Sequence, residues 1–271
     1  MVVVCLNGRL GNQLFQYAFA ISLSKRYNTF YLIDDRLIFD YVRKYFVPTS
    51  YTDNKYLSKL LRKIYTRKNL EFIEQKGFED IKELIRDNAY YEGFFQSVSY
   101  IDNISSALKN IFCIKTYYKE LFTQNYSYLF EKEKVVVVHY RMGDYLTWGG
   151  EILGGYNMAL PESYYENALR QIPNIDSYRV VLVTDDAEGV KSKLKFIANK
   201  IVVSNEELIL DFQILMHADK LVISNSTFAW WAATLNCKNA QVFAPEYWIG
   251  FKIKQEYPFG IISSNFVKVP F

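Results

Sequence analysis

The chain has 271 residues, half of them apolar and 17% aromatic, with a formal net charge of only +3. That is ample apolar material for one large domain or two of ordinary size, which excludes a disordered chain, and the near-balanced charge excludes the broad positive field of a nucleic-acid binder. Three scattered cysteines and two histidines exclude a disulfide framework and a His-rich metal centre.

No apolar run approaches the roughly 18 residues of a membrane-crossing helix. The first residues lack a basic stretch ahead of their short apolar run, so no signal peptide is expected. The expectation is a soluble, cytoplasmic protein.

Residues 2–6 read as a buried strand. A glycine-punctuated turn, Asn-Gly-Arg-Leu-Gly-Asn-Gln, leads into a helix over about 13–26, with Leu14, Phe15, Ala18, Phe19 and Leu23 on one face. Two glycines at this spacing are not the G-x-G-x-x-G of dinucleotide binders. They allow close approach of a ligand, with Arg9, Asn12 and Gln13 supplying donors, or they simply let a tight turn set helix against strand. A second strand is predicted over 29–33, while 34–53 is rich in aromatics without a clear period.

Residues 55–68, bounded by Lys55 and Lys68, hold six basic side chains and no acidic one. Leu57, Leu60, Leu61, Ile64 and Tyr65 fall on one side at helical spacing. This is either an amphipathic helix lying on an anionic membrane surface or a packed helix with a solvated charged face. A short helix over 80–86, a strand over 89–97 turning at Gly93 and a helical stretch over 103–111 follow. The charged residues 131–134 mark a domain boundary, which gives domains 1–132 and 133–271.

Residues 135–145, Val-Val-Val-Val-His-Tyr-Arg-Met-Gly-Asp-Tyr, organise the second half. Four valines suit a strand buried on both faces of a parallel sheet. His139, Arg141 and Asp144 arrive at its carboxyl end, the edge where open α/β sheets bind ligands. The guanidinium fork suits phosphate, Asp144 can orient it, and His139 can bond or exchange protons near neutral pH. The plain alternative is a polar strand end with a local Arg–Asp pair.

A loop over 146–161, with four glycines and Trp148, has a length typical of lids. Helices are predicted over 161–172, 187–198 and from a Ser204/Asn205 cap to about 218, the last with Glu206 and Glu207 in its first turn. Strands are predicted over 179–183, 200–203, 220–223 and 241–244, the last clear one. Five strands alternating with helices predict a doubly wound parallel sheet.

Three strand ends then share one edge: His139/Arg141/Asp144, Asp185/Asp186, and the turn Ser224, Asn225, Ser226, Thr227 ahead of a helix carrying Phe228, Trp230, Trp231 and Leu235. A helix amino terminus attracts anions, so with Arg141 this turn makes a diphosphate site. Asp185 suits a base edge or ribose hydroxyl. The bland readings are a helix cap and a capped turn. Asp-Asp lacks the third acidic neighbour of a metal site, and His217, late in a helix, reads as structural.

In this order, Gly8-Arg9-Leu10-Gly11-Asn12-Gln13-Leu14-Phe15-Gln16-Tyr17-Ala18, Gly93-Phe94-Phe95-Gln96-Ser97, His139-Tyr140-Arg141-Met142-Gly143-Asp144-Tyr145, Thr184-Asp185-Asp186 and Ser224-Asn225-Ser226-Thr227-Phe228-Ala229-Trp230-Trp231 resemble the α-1,2-fucosyltransferases of glycosyltransferase family 11. The resemblance spans most of the chain. One position departs: Met142 stands where the family pattern has a second arginine.

The resemblance implies a GT-B-like α/β fold, with two Rossmann-like domains facing a cleft, 1–132 on the acceptor side and 133–271 binding GDP-fucose. It implies that Arg141 stabilises the β-phosphate of departing GDP, supported by His139 and Asp144. Asp185 would help read the nucleoside. Asn225, Ser226 and Thr227 would hold phosphate, and Asn12, with Arg9 and Gln13, would face the cleft. The implied reaction is a single inverting displacement moving fucose from GDP-β-L-fucose to a galactose 2-hydroxyl, in polysaccharide biosynthesis. It needs no cofactor and no metal, and the acceptor is a free or lipid-linked galactose-terminated glycan. Peripheral membrane contact would run through 55–68. The general base is open between His139 and Asp144. A fucosyltransferase of another linkage and a non-catalytic nucleotide- or sugar-binding protein are the other readings.

Overall fold

The computed structural model describes residues 1–47, 60–61, 63–65, 69–197, 200–204 and 207–271. The chain forms two compact units, Met1–Lys115 with Pro258–Ile261, and Thr116–Tyr257 with Ile262–Phe271.

The first unit carries β1 (Val2–Cys5), β2 (Tyr31–Asp34), β3 (Glu71–Glu74) and β4 (Ala89–Glu92) in the order β2-β1-β4-β3, all parallel. β1 is wholly buried, as its Val-Val-Val-Cys run requires of a strand covered on both faces. Helix α1 (Leu10–Tyr27) follows it and buries Leu14, Phe15, Ala18 and Phe19. Asn28 ends α1 in the left-handed region (φ 48), its N–H turned back to the carbonyls of Lys25 and Ser24. Among the described residues the unit also carries two short helices, α2 (Tyr41–Tyr45) and α3 (Leu108–Ile111).

Most of the basic segment 55–68 lies outside the described residues. Of its described side chains, Leu61 and Tyr65 pack against the cluster Val3, Cys5, Leu32 and Tyr90, while Leu60 and Ile64 are exposed. Residues 205 and 206, expected in a helix cap, also lie outside.

The second unit opens with α4 (Thr116–Tyr126), and the chain therefore passes between units upstream of the expected 132/133. The reason is packing. Phe122 stacks on His217 at 4.5 Å, and Gln213 Nε2 donates to the Tyr118 carbonyl at 2.9 Å. Its sheet consists of β5 (Val135–Tyr140), β8 (Arg179–Thr184), β9 (Lys200–Val203), β10 (Lys220–Val222), β11 (Gln241–Pro245) and β12 (Phe266–Val269), all parallel, in the order β12-β11-β10-β5-β8-β9. A small antiparallel pair, β6 (Gly149–Gly150) with β7 (Gly155–Tyr156), lies in the loop after β5.

Counted from β5, this is the doubly wound order 3-2-1-4-5-6, and its direction reverses between β5 and β10. Helices α5 (Glu162–Arg170), α6 (Ala187–Val190), α7 (Leu208–Met216) and α8 (Thr227–Thr234) connect the strands. On α5, Tyr164, Tyr165, Ala168 and Leu169 close over Val136, Val138 and Leu182. The Tyr140 and Tyr165 rings stack there at 4.0 Å.

Two expectations change. The sheet has a further edge strand, β12, beyond 241–244. Helix α6 stops at Val190 rather than near 198, because Leu194 turns left-handed (φ 49) and gives its N–H to Glu162 Oε1 at 2.7 Å. Among the described residues, no helix is long and apolar enough to cross a membrane.

Candidate functional site

The reversal between β5 and β10 is where a doubly wound sheet opens a crevice at its carboxyl edge. His139, near the end of β5, lies with Nδ1 2.7 Å from Ser224 Oγ just past β10. Both side chains are buried. Burial first, and the Arg141 charge second, push the His139 pKa down to about 3. The imidazole is therefore neutral and sealed, a pin between two strand ends. The expected proton exchange near neutral pH does not fit this placement.

Arg141 begins the loop after β5. Its Nη2 donates to Asp144 Oδ1 at 2.5 Å, and Nη1 lies 3.0 Å from Asp185 Oδ2. Asp185 Oδ1 accepts the Met142 N–H at 2.9 Å. Strand register explains this: Tyr140 pairs with Thr184, so the residues just beyond meet across the same gap. Gly143 (φ 24) passes so close that a Cβ there would lie 2.3 Å from Asp185 Oδ2.

Each Asp185 oxygen thus makes a contact to the Arg141 loop. Asp186 turns elsewhere and caps α6 by accepting the Gly189 N–H at 2.9 Å. Among the described residues, no group of three His, Cys, Asp or Glu is arranged to hold a metal.

The third element is the start of α8. Ser226 holds the extended N-cap conformation (φ -114, ψ 128) but makes no side-chain cap, and the first turn has no acidic residue. The helix end keeps its positive character for an anion. Asn225 Nδ2 donates to the Met158 carbonyl at 2.9 Å, and the Met158 N–H returns to the Tyr145 carbonyl at 2.8 Å. Tyr145 joins the two sides of the site: its hydroxyl donates to the Asn225 carbonyl at 3.1 Å, and its ring centroid lies 5.2 Å from the Arg141 guanidinium. Arg141 Nε is buried without a hydrogen-bond partner among the described residues. A fixed cation with an unspent donor, beside an uncapped helix start, is equipped to take a phosphate.

In the first unit, Gly8 turns left-handed (φ 72) against Asn12, and Asn12 Oδ1 accepts from Gln96 Nε2 at 3.0 Å. Arg9 is exposed at the start of α1. Gln13 is fully buried, its Nε2 donating to the Gly8 and Phe39 carbonyls and its Oε1 accepting from the Tyr41 N–H. It is a staple, not the free ligand donor expected. Gln16 does a similar job that spacing did not reveal: Oε1 accepts from the Asn7 N–H at 3.0 Å and Nε2 donates to the Gly93 carbonyl at 2.8 Å. Its signal was a polar residue inside an otherwise apolar helix face. Tyr145 was also missed as a bridge, since a lone tyrosine in a loop carries no sequence signal.

Parallel α/β units with a carboxylate-clamped arginine beside a helix start at the sheet reversal form the kind of crevice in which doubly wound folds hold phosphate-bearing ligands. The chain belongs to glycosyl transferase family 11, whose model matches residues 1–256. It is 27% identical to the O-antigen biosynthesis glycosyltransferase WbnK of Escherichia coli, over 90% of this chain and 93% of that protein. It is 26% identical to an alpha-1,2-colitosyltransferase of Escherichia coli, over 92% of each. Among solved structures, fucosyltransferase NodZ from Bradyrhizobium matches with a TM-score of 0.55 at 14% identity, covering 86% of this chain and 91% of that one. An Arabidopsis thaliana fucosyltransferase in complex with GDP matches at 0.53 and 14% identity, over 90% of this chain and 69% of that one. The fold is GT-B, as the sequence resemblance implied.

Proposed function

We propose that the protein is an inverting fucosyltransferase that moves L-fucose from GDP-β-L-fucose to the 2-hydroxyl of a terminal galactoside. The carrying observation is Arg141, clamped by Asp144 and Asp185, at the same sheet reversal as the uncapped start of α8. A NodZ structure soaked with GDP-fucose supports the donor, and the name of the colitosyltransferase relative supports the α-1,2 linkage.

In this reading the acceptor hydroxyl attacks the fucose anomeric carbon as the bond to GDP breaks. Negative charge collects on the departing diphosphate, where Arg141 and the N–H groups opening α8 meet it, together with Ser226 and Thr227. Preorganised donors of this kind lower the barrier because they need no rearrangement as charge develops. Met142 leaves the work of the family's second arginine to Arg141 and the helix. His139 holds the strand ends and takes no part in proton transfer.

The test is incubation with GDP-fucose and lactose, reading GDP release and determining product linkage by NMR, with GDP-colitose in parallel. An α-1,2-fucosylated product is expected. Another linkage would replace the regiochemistry, a preference for colitose would replace the donor, and GDP binding without turnover would make the chain a binding protein.

A further inference from the structure

The hairpin that follows Tyr145 has glycines its backbone does not account for. Gly149 needs its lack of a side chain, because an added Cβ would lie 2.4 Å from the Gly155 carbonyl oxygen. Gly154 (φ 80) and Gly155 (φ 111) adopt conformations that favour glycine. Gly150 has no such reason. Its backbone is extended (φ 164, ψ 171), and a Cβ there would meet nothing within 4 Å. One use of a glycine in a strand without steric need is to let a ligand come close to the backbone. Its cross-strand partner Gly155 also opens onto empty space, so the pair forms a bare shelf.

Trp148 leads directly into this shelf and is 40% exposed, whereas Trp230, Trp231 and Trp248 are at most 2% exposed. It is tied to the phosphate arginine through one ring: Tyr145 lies 5.3 Å from Trp148, centroid to centroid, and 5.2 Å from the Arg141 guanidinium. The shelf is also fixed in place. Lys252 Nζ donates to the Tyr156 carbonyl, and the Met158 N–H holds the base of the hairpin to Tyr145.

We infer that Trp148 and the Gly150–Gly155 shelf bind a hexopyranose of the acceptor glycan and set acceptor specificity. A pyranose has an apolar C–H face and a polar rim. An aromatic ring covers the first, and the open backbone edges of a two-stranded ribbon hydrogen-bond the second. The shelf follows Trp148 and shares no residue with the proposed phosphate site, which suits acceptor rather than donor. The inference rests on the proposed transferase reading, and it places part of the acceptor site on the unit that carries Arg141.

The experiment uses the whole protein saturated with GDP. With the other tryptophans buried, acrylamide quenches chiefly Trp148, and lactose at millimolar concentration should protect it. Trp148→Ala should abolish the protected component. In transfer assays, Trp148→Ala and Gly150→Val should each raise the acceptor KM about tenfold or more, while Trp148→Phe recovers most of the loss. GDP affinity and melting temperature should stay unchanged. Quenching that lactose leaves unaltered, or a Gly150→Val enzyme with wild-type acceptor KM, would overturn the inference. If no donor supports transfer, the transferase reading fails, yet the quenching measurement still decides the shelf.

Discussion

Arg141 and Asp185 sit one step beyond a paired register, Tyr140 opposite Thr184, and their side chains meet at 3.0 Å across that gap. Asp185 also holds the Met142 N–H. One carboxylate therefore fixes both the direction of the guanidinium and the path of the loop that carries it.

Asp185→Asn keeps the shape and an acceptor for the Met142 N–H but removes the negative charge that faces Nη1. Its kcat for GDP release is expected to fall about tenfold to a hundredfold, against a loss of about 10²–10³ for Arg141→Ala. Because both act through one group, the double variant should be little worse than Arg141→Ala alone. Steady-state kinetics of the three variants checks this, and full additivity would show that Asp185 works separately.

Gly143→Ala acts on the same pair from the other side. The new methyl would press on Asp185 Oδ2 from a backbone at φ 24. The expected result is a folded enzyme whose kcat drops about as far as that of Asp185→Asn. Near-native circular dichroism with reduced turnover is the signature to measure.

Acid should destabilise the fold before it titrates carboxylates. His139 is held neutral, its pKa down at about 3, and His217 is lowered too by burial. The unfolded histidines protonate near their ordinary value of about 6.5, so stability is full above that pH and falls as pH drops, by at most about 1.4 kcal/mol per pH unit for each group. The carboxyls of Asp34, Asp80 and Asp87 are lowered and release their contribution only at more acidic pH. Melting temperature should therefore decline between pH 7 and 5, and His139→Asn should flatten that decline. The same variant should leave the pH dependence of transfer unmoved.

Gln16→Ala should cost about 1–3 kcal/mol, since the Asn7 N–H and the Gly93 carbonyl lose their shared partner. Chemical denaturation reads it directly. A conservative Gln16→Glu swap can keep the acceptor half but not the donor half, and should recover only part of the loss.

The parallel sheet around β5 was readable because doubly covered strands are written as β-branched runs, and Val135–Tyr140 and Arg179–Thr184 are such runs. Two edge strands, β3 and β12, were not. Glu71–Glu74 places two exposed glutamates around one buried isoleucine, and Phe266–Val269 is only partly buried. Helix Thr116–Tyr126 buries only Phe122 and shows little pattern. At the site, Arg141 and the Ser224–Thr227 turn announced themselves by residue type and position. The commitments of Asp185 and Gln13 did not, because a carboxylate or amide looks the same in sequence whether it waits for a ligand or is spent on its own backbone.

Pro258–Ile261 belongs to the first unit although it lies near the end of the chain, and the Gly260 carbonyl accepts the Val98 N–H at 2.8 Å. Neither half of the molecule is thus contiguous along the polypeptide. A ribosome finishing Lys115 has not yet supplied everything the leading half requires, so that half completes its native contacts only once Ile261 has been made. Dissecting the enzyme into working pieces would take a graft, not a single cut.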